Sequence, residues 1–184
     1  PGTLAANRAG AVNPGVEYVV AQVVTGRGQE RLLVAEPLLQ DSLARWGIDD
    51  YRIIAYGAGA ELEGLALRHP FYDREVPVIL GEHVTTEAGT GLVHTAPAHG
   101  QEDYVVGSRY GLPVDNPVGP DGKFLADVPL FAGLHVFAAN DRVIDALKAR
   151  GMLLRVARLQ HSYPHCWRHK TPIIFRATPQ WFIG

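Results

Sequence analysis

Between Gly89 and Tyr104 the chain reads Gly-Thr-Gly-Leu-Val-His-Thr-Ala-Pro-Ala-His-Gly-Gln-Glu-Asp-Tyr, and two of its side chains could do chemistry. His94 stands at the end of an expected strand, and Asp103 in the first turn of an expected helix running to Tyr110. A carboxylate there is held ionised by the helix dipole and free amides, so Asp103 can anchor an ammonium group. The glycines let backbone approach a ligand closely. Both residues also have plain structural readings: an Asp in a first turn commonly serves the helix itself, and a strand-end His commonly packs.

Metal chemistry is a second possibility. His94, His99 and Asp103 are all potential ligands, although their spacing matches no zinc pattern. His161, His165 and His169 recur every four residues around Cys166, which on a helix would put them on one face. Pro164 opposes a regular helix there and biases Tyr163 towards extended backbone, so surface or interface histidines are the better reading. Neither a Gly-x-x-x-x-Gly-Lys-Ser/Thr loop nor a Gly-x-Ser-x-Gly elbow occurs, and Cys166-Trp167 lacks a papain-like signature. No covalent mechanism is suggested.

Short elements must position these residues. Val16–Val24 is rich in β-branched residues, Gly26-Arg27-Gly28 reads as a turn, and Arg31–Ala35 completes a hairpin. Leu38, Leu39, Leu43 and Trp46 have helical spacing, with Gly47 placed to end the helix. Tyr51–Ala55, Leu62–Leu67, Val78–Leu80 and Gly91–His94 read as strands, with Pro77 marking the start of the third. Asn140 is a fitting N-cap for a helix over Asp141–Arg150 that Gly151 ends, and Leu153–Leu159 and Ile173–Arg176 are strand-like. The fold class expected is α+β: strand-rich, with a partly closed, barrel-like sheet core and a few short helices.

At 184 residues and 47% hydrophobic content, one domain over 1–184 is expected. No apolar run reaches the ~20 residues of a membrane span, so no membrane partner is expected. The single Cys166 rules out an internal disulfide and suggests a reducing, cytoplasmic setting. A net charge of −2 argues against broad gripping of a nucleic-acid backbone, so any such contact should be local. The start at Pro1 and the stop at Gly184 suggest a piece of something longer.

The Gly89–Pro97 segment, His99-Gly100 and Asp103-Tyr104 together resemble the signature of the editing insertion of isoleucyl-tRNA synthetases. Asn116–Gly122, Gln160–Pro164 and Cys166–Trp181 are similar to the bacterial isoleucine enzymes in particular. The resemblance implies an editing domain excised from a larger synthetase, with a return segment from about residue 169 to 184 leading towards the catalytic domain. It implies hydrolysis of valyl-tRNA(Ile), and of valyl-adenylate, at the acceptor 3′ end. Asp103 would bind the α-ammonium, His94 would line the side-chain pocket, and Gly89, Thr90 and Gly91 would approach the substrate. Pro1–Asn7 resembles the end of the family's threonine-rich motif: Thr3 and Asn7 match, while Gly2 replaces a Trp and Ala5 a Pro. Thr3 and Asn7 are the implied catalytic residues. No metal and no cofactor belong to this domain, ATP and Mg serving the synthetase domain, whose signatures are absent. A non-catalytic capture module for the acylated 3′ end, or a valyl-tRNA synthetase editing domain, are the alternatives.

Overall fold

A computed structural model describes residues 2–157, 164–181 and 183. It packs as two compact units: residues 8–95, and the described residues of 1–7 and 96–184.

Among the described residues, the strands lie in the first unit. β1 (Ala9–Val12), β2 (Glu17–Thr25), β3 (Gly28–Ala35), α1 (Leu39–Trp46), β4 (Tyr51–Ala58), β5 (Ala66–Arg68), β6 (Glu75–Leu80) and β7 (Leu92–Thr95) follow in order. They form one sheet ordered β5-β6-β1-β7 and another ordered β3-β2-β4. The two sheets share a core of Val12 and Val78 from one with Tyr18, Val34 and Ala35 from the other, closed by Leu38. The expected strand-rich α+β architecture is present, as two sheets over a shared apolar core, with no closed barrel among the described residues. No helix among the described residues is long and apolar enough to cross a membrane.

The β2–β3 hairpin turns where Gly26-Arg27 predicted it, with Thr25 opposite Gly28. Helix α1 ends as expected at Gly47, whose φ of 70° suits glycine. Two expectations in this unit need correction. Leu62–Leu67 is not a strand: a 3-10 turn takes Gly59–Leu62, and pairing begins only at Ala66. Pro77 lies inside β6 rather than at its start, opposite Ala66 of β5. β1 was not foreseen, because Ala-Gly-Ala-Val carries no alternation of apolar and polar residues; the strands on either side define it, β6 parallel and β7 antiparallel.

The second unit holds α2 (Gln101–Arg109) and α3 (Ala139–Ala149). Helix α2 places Asp103 in its first turn, as expected. α3 starts two residues before the expected Asp141, so Asn140 is inside the helix. Its side chain accepts the amide of Gly2 (3.0 Å) instead of capping its own helix. No strand forms at 152–157 or 173–176, while residues 158–159 of the first expected strand lie outside the described residues. The 173–176 stretch is held by separate contacts: Ile173 N to Pro164 O, Ala177 N to Ala98 O, and the Arg176 side chain to Val118 O.

The seat of β7 is a tight point of the strand-bearing unit. Gly91 has φ of 77°, and a Cβ built there would overlap that of Ala35. Gly91→Ala should destabilise the chain by about 2–5 kcal/mol, combining overpacking with a left-handed backbone. Tyr18→Phe should cost about 1–3 kcal/mol, since it removes the buried hydroxyl that donates to Gly91 O (2.6 Å). Urea unfolding of both variants measures this, and a Gly91→Ala midpoint equal to wild type would contradict it.

Candidate functional site

In the strand-bearing unit, the loop of Gly89, Thr90 and Gly91 is pinned by its own carbonyls. Gly89 O accepts the Arg45 guanidinium (2.6 Å) and the Ser42 hydroxyl (3.2 Å), both from α1. Thr90 O accepts Ala35 N (2.9 Å), and Gly91 O accepts the Tyr18 hydroxyl (2.6 Å). Gly89 is exposed, whereas Gly91 is buried against β3. These glycines therefore anchor the start of β7, a role not evident from their permissiveness alone. His94 follows on β7 opposite Gly10 of β1, half-buried between exposed Val93 and fully buried Thr95. The Thr95 hydroxyl is buried without a hydrogen-bond partner.

In the helical unit, Asp103 is half-exposed, and its Oδ2 accepts the backbone amide of Ala96 (2.8 Å). It fastens the chain leaving β7 to the start of α2 rather than capping α2 itself. A side chain at Gly100 would crowd the carboxyl, its Cβ meeting Asp103 Cγ at 3.0 Å. One carboxylate oxygen is thus fixed by backbone, which sets the direction of the other. Asn7 is buried, and its amide bonds Leu4 O (3.1 Å), closing the 3-10 turn Gly2–Ala6.

Thr3 lines a cavity of about 290 Å³ with His99, Phe137, Asn140, Ile173 and Phe175 among its walls. His99 was foreseen only as a possible metal ligand, and its partner could not be read from sequence because it lies 76 residues away. Its Nδ1 is 3.0 Å from Phe175 O. A carbonyl only accepts, so Nδ1 carries the proton and Nε2 is left as an acceptor, buried without a partner. Burial holds the imidazole below the usual histidine range, and Arg176 adds to this, against the Phe175 hydrogen bond and Asp103, which favour the cation.

Among the described residues no three His, Cys, Asp or Glu side chains converge as a metal site. Of the second histidine cluster, His161 lies outside the described residues. Cys166 Sγ is 3.4 Å from His169 Nδ1 in a turn closed by Lys170 N to Cys166 O, while His165 forms a β-bridge with Pro172, so His165 and His169 do not share a helical face.

The family model described as "Leucyl-tRNA synthetase, editing domain" matches residues 55–152, more than half of the chain, and the chain belongs to this family of synthetase editing domains. Within it the resemblance is to the isoleucine enzymes. The isoleucine–tRNA ligase of Methylococcus capsulatus is 65% identical over all 184 residues, and that of Nitrosococcus oceani 63%. The chain spans about a fifth of their length, 19% and 20% respectively. The crystal structure of GlLeuRS-CP1 matches with a TM-score of 0.65 over 87% of this chain and 82% of that one. At 19% identity this is a likeness of fold.

Because the folded chain binds a proton at His99 less readily than the unfolded chain, acid favours unfolding. Its contribution is complete above the ordinary histidine value of about 6.5 and is lost as pH falls through the depressed folded value. Melting temperatures between pH 7.5 and 5 should fall more steeply for wild type than for His99→Phe. Equal slopes would place the proton uptake elsewhere.

Proposed function

We propose that the chain is the editing region of an isoleucine–tRNA ligase and that it hydrolyses valine wrongly esterified to tRNA(Ile). The observation that carries this reading is 65% identity to such a ligase along the entire chain, with the Gly-Thr-Gly…His…Asp segment intact. The chemistry calls for such a step. A pocket built for isoleucine gains only ~1–3 kcal/mol from one methylene, isoleucyl-tRNA synthetases being the standard illustration, so a second and smaller site must remove valine.

In this reading Asp103 takes the α-ammonium on the carboxylate oxygen that Ala96 leaves available, and His94 stands beside the aliphatic side chain. Water attacks the ester carbonyl carbon, the carbonyl–ribose oxygen bond breaks, and valine leaves as the ribose hydroxyl regains its proton. Thr3 and Asn7, with backbone donors, are the groups proposed to orient that water. The acceptor 3′ end of the tRNA and valyl-adenylate are the proposed ligands, no metal or cofactor is invoked, and the setting is the cytoplasm. The rest of the synthetase chain is the proposed structural partner, with residues from about 169 leading back to it.

Asp103→Asn separates charge from scaffold. The amide oxygen can still accept Ala96 N, while the counter-charge for the ammonium is gone. Affinity for a non-hydrolysable valyl-adenosine analogue should fall about 10–100-fold, the worth of one hydrogen bond to a charged group. Valyl-tRNA deacylation should fall with it, at unchanged melting temperature. Deacylation at the wild-type rate in Asp103→Asn would remove Asp103 from the mechanism. Binding of the analogue by wild type without any release of valine above the spontaneous rate would instead identify a capture module.

A further inference from the structure

We infer that Leu67 is a specificity-determining residue: with its tip lodged over Gly10, it forms the apolar wall facing His94. The inference rests on the proposed function, in which His94 borders the amino-acid side chain, and it follows from the register of four strands. His94 of β7 is directly opposite Gly10 of β1, Gly10 is paired with Val78 of β6, and Val76 of β6 is opposite Leu67 of β5. Paired residues share a face, and positions two apart in a strand do too. Leu67, Val76, Val78, Gly10 and His94 therefore lie on one side of the sheet. That side covers the core: Val78 and Val12 are fully buried, with Leu67 packed against the same cluster.

Gly10 is the position in this row with no side chain. Leu67 fills the space above it, its Cδ1 standing 2.8 Å from where a Gly10 Cβ would be. Directly opposed Cβ positions are ~4.5–5.5 Å apart, so the His94 side chain rises beside the same spot. All three residues are half-buried, whereas Val12 and Val78 behind them are closed off. The row thus ends at Gly10, whose open space the Leu67 tip occupies, with His94 directly opposite across the strand pair. A branched three-carbon side chain seated against His94 would meet the Leu67 methyls on its far side. One carbon more would have to displace them, which is the size limit that a valine-clearing site requires.

The test measures affinities of the 184-residue chain for non-hydrolysable valyl- and isoleucyl-amide analogues of the 3′-terminal adenosine, by calorimetry, with thermal melts as the folding control. Wild type should prefer the valyl analogue. Leu67→Ala, or Leu67→Val if alanine lowers stability too far, should narrow that preference by roughly tenfold or more by admitting isoleucine. Gly10→Ala should push the flexible Leu67 tip out of that space and weaken valyl binding without improving isoleucyl binding. If wild type prefers valyl while all three folded variants keep its ratio, Leu67 is not the wall and the inference falls alone. If wild type binds neither analogue, the editing reading falls and takes this inference with it.

Discussion

One buried hydroxyl holds the two strands that carry His94 and its opposite neighbour. The Tyr18 phenol, 1% exposed, donates to Gly91 O (2.6 Å) and accepts from Asn13 N (3.0 Å). Asn13 directly follows β1 and Gly91 directly precedes β7, so both strand ends are fixed by one oxygen. Burial raises the phenol above its ordinary value, against the Asn13 amide, which keeps it a donor at any physiological pH. A one-residue slip of β7 would turn His94 to the opposite face and bring Val93 or Thr95 in its place. The lack of a side chain at Gly91, seated on Ala35, allows this geometry, and the Arg45 and Ser42 bonds to Gly89 extend it to α1.

The helical unit is organised differently. Beside the backbone bonds of its helices and turns, side chains fasten its irregular stretches. Asp103 takes Ala96 N, Asn140 takes Gly2 N, Asn116 donates to Ala177 O, and Arg176 donates to Val118 O. Such bonds leave the backbone irregular yet bonded, which buried polar groups require. They also explain why Ile173–Arg176 reads as a strand and is not one: its residues have the β-branched, apolar character of a strand, but side chains and single backbone bonds take the place of a neighbouring strand.

What could be read from sequence follows from the same division. Signals contained within a few residues were legible: the Gly26-Arg27 turn, Gly47 after α1, and Asp103 at the start of α2. Features that depend on distant partners were not. β1 exists because β6 and β7 flank it, and Asn140 leaves its own helix because Gly2, 138 residues away, offers an amide. Asp103 was legible as a carboxylate at a helix start, but its bond to Ala96 was not. His99 could be singled out for its type, whereas its tautomer and neutral tendency depend on Phe175. Leu67 and Gly10 carried no sequence signal, since only the register of four strands brings them beside His94.

The proposed discrimination by a single methylene would set a mechanical requirement on these arrangements. An energy difference of ~1–3 kcal/mol survives only if the wall that refuses the extra carbon cannot yield by a few tenths of an ångström. Groups carried on strands and backed by packed core meet that requirement better than groups on loops. Leu67 and Gly10 are so carried, with buried Val78 and Val12 beside and behind them. Asp103 meets the corresponding requirement for charge. With one oxygen already held by Ala96 N, the carboxylate proposed to take an ammonium has little rotational freedom left to lose, so less of that interaction would be spent on ordering the side chain. Site precision therefore comes from hydrogen bonds and packing that never touch the substrate, while the groups proposed to touch it remain half-exposed.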